Sequence, residues 1–559
     1  MPFTDSIRTM RRVLPPLVAA GAVLVLVLGL YWPVPLHLSS WTAPSAFGGD
    51  HVWAFSHIER MLLGDLPLRV DTNQLGFPLH REARFIGWVP ALLAMPLQRP
   101  LGPVGAFHVV LWMSPVFALL ATYAWLREAT DADGWCAALC AFLYASSAYM
   151  LSNLAAGNID KIQIWLYPLW LLLCWWVLRE RRARWALLLF PALGAAMAFN
   201  EPYFALSLPL FAAPVLLVRS LRERSRVCGG ISLAALLLTG LGCFPANSYY
   251  QNPAGKTQLF QPAGPGPTNA LQQSDASLFD LLFGPGARAT EAVEVVHVAM
   301  VGVGLIVMVL LLLPRPARGR STGLVIAGCG LVIVSGVEQA GLPMPMAALE
   351  ALHYPLERGG QYYRAAPVLM LGLVTLLAAG LSSRGEGGRS VWDSRVRWAA
   401  AALLPIQLLH GLWVTGPFWP REAAEIPGRE VLLELRELGE PYDGVAVFPV
   451  ASGQWFNTAR ILGAGLHGHP ATLLPRHVDV VEAQQEYFWT REMTLSSLQH
   501  FGIRFALLYR GAEVKDTGHL SERALYRLFG EPLIVTDEVV LWELPWTEVP
   551  PRHAPSGRP

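Results

Sequence analysis

Arginine-rich clusters punctuate the long apolar runs of this chain, and they alternate along it with polar, acid-bearing connections. The basic clusters are Arg8/Arg11/Arg12, Arg179/Arg181/Arg182/Arg184, Arg219/Arg222/Arg224/Arg226, Arg315/Arg318/Arg320 and Arg384/Arg389/Arg395/Arg397. The apolar runs are about 17–24 residues long, enough to cross a hydrocarbon core. An excess of Lys and Arg marks cytoplasmic loops, so the alternation predicts a topology. It puts the Asp50 loop, the Asn158–Lys161 loop, Glu201, the Gln251–Glu294 loop and the His353–Arg364 loop on the outer face. Ionisable groups at a membrane boundary are functional candidates, so that face is where function is sought.

Only 15% of the 559 residues are charged and 53% are hydrophobic. Soluble domains carry roughly 25% charge. A net charge of +1 gives no basic excess for a nucleic-acid partner. The basic N-terminus followed by Leu14–Tyr31 has the outline of a signal peptide. Its apolar run is too long for one, and it ends in Trp32-Pro33-Val34-Pro35 without a small-residue cleavage site. It is read as an uncleaved first span. The six cysteines lie in or beside apolar spans and show no metal-ligand spacing. They read as small buried hydrophobes rather than a disulfide framework.

About eleven spans are expected, over 14–32, 104–126, 135–152, 162–178, 185–199, 203–218, 230–248, 296–313, 322–337, 365–382 and 398–415. Phe85–Leu97 is apolar but short and holds Pro90 and Pro96, so it reads as a re-entrant or interfacial piece or a broken helix. The fold class is therefore an all-α polytopic membrane domain over 1–420 with a large first outer loop, 33–84. A chain that starts inside and crosses eleven times ends outside. The composition turns soluble after Trp419-Pro420, where 421–548 reads as a small exoplasmic α/β domain, with 549–559 a disordered tail. Its expected elements are helices at 429–438, 494–501 and 521–529, strands at 444–450 and 504–509, and a hairpin of 533–536 with 539–544. His467-Gly468-His469 lacks a third ligand and reads as an exposed loop.

The first outer loop contains Phe47-Gly48-Gly49-Asp50-His51. From His51 to Leu63, Val52, Phe55, Ile58 and Leu62 share one helical face, with Ser56, Glu59 and Arg60 opposite. This describes an amphipathic helix suited to the bilayer surface. Asp50 stands at its start, against the positive end of the helix dipole. It can cap the helix, accept a proton from a hydroxyl, or do both. His51 and His57 read either as phosphate or metal ligands or as interfacial side chains. Asn158, Asp160 and Lys161 occupy a very short outer loop, read as a solvated turn or a binding loop. Asn200-Glu201-Pro202-Tyr203 is a tight turn with its proline at a helix start, which makes Glu201 either a surface residue or a second acid. Glu357-Arg358 and Arg364 flank Gly359-Gly360-Gln361-Tyr362-Tyr363. They form either a sugar- or diphosphate-binding rim or a local ion pair with Arg364 as a span anchor.

Several loose motifs together resemble the bacterial multi-spanning membrane glycosyltransferases of the GT-C fold class. They are the Gly-Asp of the first outer loop, Gly64-Asp65-Leu66-Pro67-Leu68, Leu75-Gly76-Phe77-Pro78, and the proline-punctuated 85–103 segment. Gly157-Asn158-Ile159-Asp160-Lys161-Ile162-Gln163 follows, then Tyr363-Arg364-Ala365-Ala366-Pro367 and the C-terminal run 498–509. The resemblance spans most of the chain. It implies a multi-pass protein of the bacterial cytoplasmic (inner) membrane, N-terminus in the cytoplasm and C-terminal domain exoplasmic. It implies a polyprenyl-phosphate-linked sugar donor, a glycan, lipid or protein acceptor, and a catalytic base at Asp50. Gly-Asp-His replaces the acidic pair of better-known branches, which leaves a divalent metal ion an open cofactor.

Such a transfer needs a base for the acceptor hydroxyl and positive charge for the departing phosphate. Lys161, Arg358 and Arg364 are the candidates for the second task, the arginines as bidentate forks. His51, Asp160, Glu201 and Glu357 complete the expected substrate-binding set. Two other readings stay open: a transporter or flippase for lipid-linked saccharides, which requires paired ionisable groups in mid-span, and a catalytically silent membrane scaffold.

Overall fold

The computed structural model describes residues 2–42, 48–64, 71–72, 81–82, 87–250, 301–313, 317–335, 338–339, 342–343, 362–382, 405–415, 424–438, 443–448, 463–464, 466–467, 469, 498, 503–510 and 522–544. The chain divides into two compact units. One comprises Met1–Leu30, Ile86–Pro90 and Val110–Trp419, and the other Tyr31–Phe85, Ala91–Val109 and Pro420–Pro559.

In chain order the helices are α1 (Pro2–Leu30), α2 (Gly48–Leu63), α3 (Trp88–Ala129), α4 (Gly134–Ala145), α5 (Ala148–Ala155), α6 (Leu166–Arg179), α7 (Leu189–Asn200), α8 (Pro202–Glu223), α9 (Arg226–Tyr250), α10 (Val303–Leu312), α11 (Arg320–Val334) and α12 (Ala366–Ser382). Helix covers most of the described residues of each expected span, but not all: 162–165 are turn and 185–188 are 3-10. Four described helices are long and apolar enough to cross a membrane, and the bent pair α4–α5, with a 44° break, makes a fifth candidate. The others are shorter. The 14-residue α6 rises only about 21 Å, against about 30 Å of hydrocarbon. Part of the missing length lies in the largely buried turn 162–165 and part in the 3-10 segment Arg181–Leu188, where Trp185 and Leu188 are exposed; hydropathy had assigned 162–165 and 185–188 to continuous spans. Of the alternatives for 85–97, the broken helix matches: from Trp88 it is the first arm of α3, interrupted at Gly102, where φ is +70°.

Small residues set the spacing of the first unit's helices. A Cβ at Gly194 would strike the backbone of Thr239, and one at Gly242 would strike the backbone of Pro191, so α7 and α9 touch along their main chains. Gly330 faces Leu369, and Gly372 faces Ala327 in the same way between α11 and α12. Close approach through small residues is the normal means of helix association in lipid. Trp170 Nε1 donates to Thr239 Oγ1 at 2.9 Å, and Trp125 Nε1 to Thr375 Oγ1 at 3.1 Å. Gly242→Val is expected to destabilise the protein by about 1–3 kcal/mol through overpacking, read as a lower midpoint in thermal unfolding of the detergent-solubilised protein.

In the second unit α2 is buried more widely than its amphipathic pattern predicts. Val52, Phe55 and Ile58 are buried as expected, but so are His51, Trp53, Ala54, His57 and Met61, whereas Leu62 is exposed. Gln98 Nε2 donates to the Phe55 carbonyl at 3.2 Å, and Phe55 meets Phe107 with ring centroids 6.1 Å apart. The helix is thus packed against protein on several sides, which corrects its reading as a bilayer-surface helix. β1 (Trp41–Thr42) pairs antiparallel with β2 (Ala424–Glu425), joining the first loop to the C-terminal region. There, α13 (Arg429–Leu438) and α14 (Glu522–Phe529) accompany a four-stranded sheet. Its strands are β3 (Gly444–Phe448), β4 (Ile503–Tyr509), β5 (Ile534–Val535) and β6 (Val539–Glu543), in the order β3-β4-β6-β5. β3 runs parallel to β4, and the other pairs are antiparallel. Trp542 is fully buried with Phe448, Leu525 and Phe529. The expected helix at 494–501 lies outside the described residues except for Leu498.

Candidate functional site

Within the first unit, the arginine-bearing ends of several helices meet. Arg179, at the end of α6, pairs with Glu128 at 2.8 Å, Arg318 pairs with Asp131 at 3.2 Å, and Arg222, near the end of α8, donates to Ser321 at the start of α11. These pairs are solvent-exposed and contribute little stability. Their value is positional: they define one rim of the bundle. The opposite ends of α6 and α8 converge on a different kind of structure.

That second rim is built from the loop between α5 and α6. Gly157 takes φ of +70° where α5 ends, a conformation that favours glycine. Asn158 then folds back, its backbone N–H donating to Asn153 O at 2.9 Å and its Nδ2 to Asn153 Oδ1 at 3.2 Å. Gln163 Nε2 donates to Ser114 Oγ at 2.9 Å and to Ile159 O at 2.8 Å. Trp165 Nε1 donates to Gln163 Oε1 at 2.7 Å. From the end of α7, Asn200 Nδ2 donates to the Asp160 carbonyl at 2.7 Å. The Asn200 carbonyl accepts from the Gly87 backbone N–H at 2.9 Å. The loop is therefore a rigid, internally bonded piece rather than a solvated turn.

Charged side chains are buried on this frame. Asp160 is 0% exposed, Glu201 2% and Lys161 7%. Glu201 stands at the N-cap of α8 but makes no side-chain cap bond. Its Oε1 accepts from Arg364 Nη1 at 3.1 Å. Arg364 comes from the 3-10 turn Tyr362–Ala365 that leads into α12, and its guanidinium carbon lies 4.6 Å from the centre of the Tyr203 ring. The Asp160 carboxyl is an electrostatic neighbour of the Glu201 carboxyl. Burial raises the Glu201 carboxyl above the ordinary range; Arg364 opposes that rise and Asp160 adds to it. Burial likewise lowers the Lys161 ammonium, with Arg364 acting in the same direction and Asp160 and Glu201 against it.

Four of the expected substrate-binding residues, Asp160, Lys161, Glu201 and Arg364, thus come together in one buried cluster. The surface-turn readings of Glu201 and of Asn158–Lys161 are overturned by long-range partners that take these groups out of water. Asn200 and Tyr203 complete the cluster. Their signal was their place on either side of Glu201-Pro202, at the junction of two helices. His51 belongs to the second unit, in α2, and is 7% exposed. Asp50 is the third residue of α2, while its side chain, together with Glu357 and Arg358, lies outside the described residues. His467 and His469 are buried, not exposed as expected. His467 Nδ1 accepts from the His469 backbone N–H at 3.1 Å, and His469 Nε2 sits 2.9 Å from the Leu435 carbonyl.

The described residues do not build a metal site, since no group of three or more His, Cys, Asp or Glu is placed to hold an ion. The two carboxyls that do meet are already balanced by Arg364 and Lys161. What the cluster offers is a guanidinium and an ammonium in a low-dielectric pocket, where their interaction with an arriving anion is strong.

No protein-family model and no curated protein matches the chain. Among solved structures, the apo Archaeoglobus fulgidus oligosaccharyltransferase superposes with a TM-score of 0.51 at 13% identity, covering 90% of this chain and 70% of that one. A mutant form of the mycobacterial arabinofuranosyltransferase AftD gives 0.52 at 14% identity; the match covers 94% of this chain but only 41% of AftD. ArnT from Cupriavidus metallidurans, bound to undecaprenyl phosphate, gives 0.47 at 12% identity, with 94% and 97% covered. These neighbours are GT-C glycosyltransferases with lipid-linked donors, and the fold of this largely helical membrane chain is similar to theirs.

Proposed function

We propose that the chain is a membrane glycosyltransferase that takes a sugar from a polyprenyl-phosphate donor and delivers it to an acceptor on the outer face. The observation that carries this reading is the buried meeting of Arg364, Lys161, Glu201 and Asp160 at the rim opposite the arginine clusters. Placing two cations out of water is costly, and recognition of a phosphate is a chemical reason to retain them. Arg364 holds the phosphate oxygens and Lys161 supplies a second positive charge as the phosphate departs. Asp50 takes the proton of the acceptor hydroxyl. Supporting the lipid nature of the donor, an apolar groove of about 360 Å³ lies between Leu210 of α8 and Leu324, Val325, Val332 and Ile333 of α11. A transporter reading calls for paired charges in mid-span, whereas the buried pair described here stands where α8 begins.

The reading is tested by comparing cell-envelope glycans of a deletion strain with those of the complemented strain by mass spectrometry. The expected result is loss of a defined glycosyl residue with accumulation of its polyprenyl-linked precursor. Loss of the residue with the precursor accumulated on the cytoplasmic rather than the outer face would favour a flippase.

A further inference from the structure

Resting on the reading of Arg364 as the headgroup site, we propose that Glu201 is the resident counter-ion of Arg364, and that an anionic lipid headgroup displaces it with uptake of one proton by the Glu201 carboxyl. Arg364 meets Glu201 at 3.1 Å with both side chains largely out of solvent, 15% and 2% exposed. A phosphate that claims the guanidinium therefore removes the charge partner of a buried carboxylate. It also brings a further negative charge beside the Glu201 and Asp160 carboxyls. Leaving an unpaired carboxylate there is expensive, and protonation is the cheaper outcome. The proton comes from solvent, and an O–H bond is the only covalent bond formed.

Among the described residues, the titratable groups facing Glu201 are these. Asp160 and Lys161 come from the loop between α5 and α6, and Arg364 from the turn before α12. Tyr149 of α5 and Tyr167 of α6 are the remaining titratable neighbours, with Tyr203 of α8 stacked on the guanidinium. Both tyrosines are neutral phenols at physiological pH. Lys161 is the alternative acceptor for the proton, and burial lowers its ammonium. Glu201 carries the stronger geometry, because it is the group that loses its ion-pair partner. Its carboxyl is already held above the ordinary range by burial and by Asp160.

In this scheme Glu201 is a positioning residue: it aims the guanidinium while the site is empty and withdraws, neutral, when the headgroup is seated. Binding that takes up one proton weakens as pH rises, by up to about tenfold per pH unit.

The test is calorimetric titration of the full-length protein in nanodiscs with farnesyl methyl phosphate, a diester that stays a monoanion between pH 6 and 9. Buffers of different ionisation enthalpy give the proton count. Dimethyl phosphate serves as the tail-less arm. Wild type is expected to take up about one proton, with affinity falling as pH rises. Glu201→Gln still accepts from Arg364 but has no site for the proton, so binding persists and the pH slope flattens. Glu201→Asn, which removes the same carboxyl and suits the helix start, is expected to flatten it too and stands in should E201Q not fold. Binding without proton uptake, or uptake that survives both substitutions and disappears in Lys161→Met, overturns the proposal while sparing the headgroup reading. Equal affinity for dimethyl phosphate overturns the assignment to a lipid headgroup. No binding of the farnesyl diester by wild type overturns the headgroup reading and this inference with it.

Discussion

Asp50→Asn is expected to lower the rate of sugar transfer by about 10²–10⁴-fold, the usual contribution of a general base, while donor binding stays near that of wild type. The substitution is chosen for its position. Asp50 is the third residue of α2, so the positive end of the helix dipole favours a carboxylate there by only about 0.3–1 kcal/mol. Asparagine retains hydrogen-bonding capacity at a helix start, so a lost cap does not explain a loss of several powers of ten in rate. The assay is complementation of a deletion strain, scored by envelope glycan, with protein level checked by immunoblot. If D50N complements like wild type at equal abundance, Asp50 is not the base.

Arg364→Ala is expected to have two separable effects. Removing a charge-assisted contact to phosphate costs about 1.5–3 kcal/mol, or roughly 10–150-fold in affinity for a polyprenyl-phosphate analogue. The same change strands Glu201, whose side chain is 2% exposed. Breaking a buried pair from one side costs about 3–5 kcal/mol of stability. The double variant R364A/E201Q removes the stranded charge, so it is expected to recover much of the thermal stability and none of the binding. Arg364→Lys keeps the charge and loses the fork, and an intermediate affinity follows. Unchanged analogue affinity in R364A, measured on folded protein, would contradict the phosphate role.

Much of this architecture is legible in the sequence because its determinants are local. Apolar runs mark the helices, and among the described residues Arg179, Arg222 and Arg318 lie at one rim of the first unit. Short apolar runs mark the C-terminal strands closely: β4 begins at Ile503 where 504 was expected, and β3 begins at Gly444 as expected, with 449–450 outside the described residues. The burial of the polar turns was not legible, because it depends on partners far away in sequence. Arg364 and Glu201 are 163 residues apart, Gln163 and Ser114 49, and Asn200 and Asp160 40. Read locally, Asn158–Lys161 and Asn200–Tyr203 are ordinary surface turns, since nothing within a few residues pulls them out of water. The same holds for α2 and for His467 and His469. Their hydrophilic or mixed patterns suggest exposure, and their burial follows from packing within the second unit. Helix length failed for a simpler reason: hydropathy does not distinguish an apolar residue in a span from one in an adjoining turn or 3-10 segment.

The central claim is that the buried charged rim is where the lipid phosphate sits. A cryo-EM structure of the protein with a polyprenyl-phosphate analogue tests it most directly. Phosphate density within hydrogen-bonding distance of Arg364 and Lys161, with Glu201 released from the guanidinium, is the predicted result. Phosphate held instead among Arg179, Arg222 and Arg318 at the opposite rim would contradict the account.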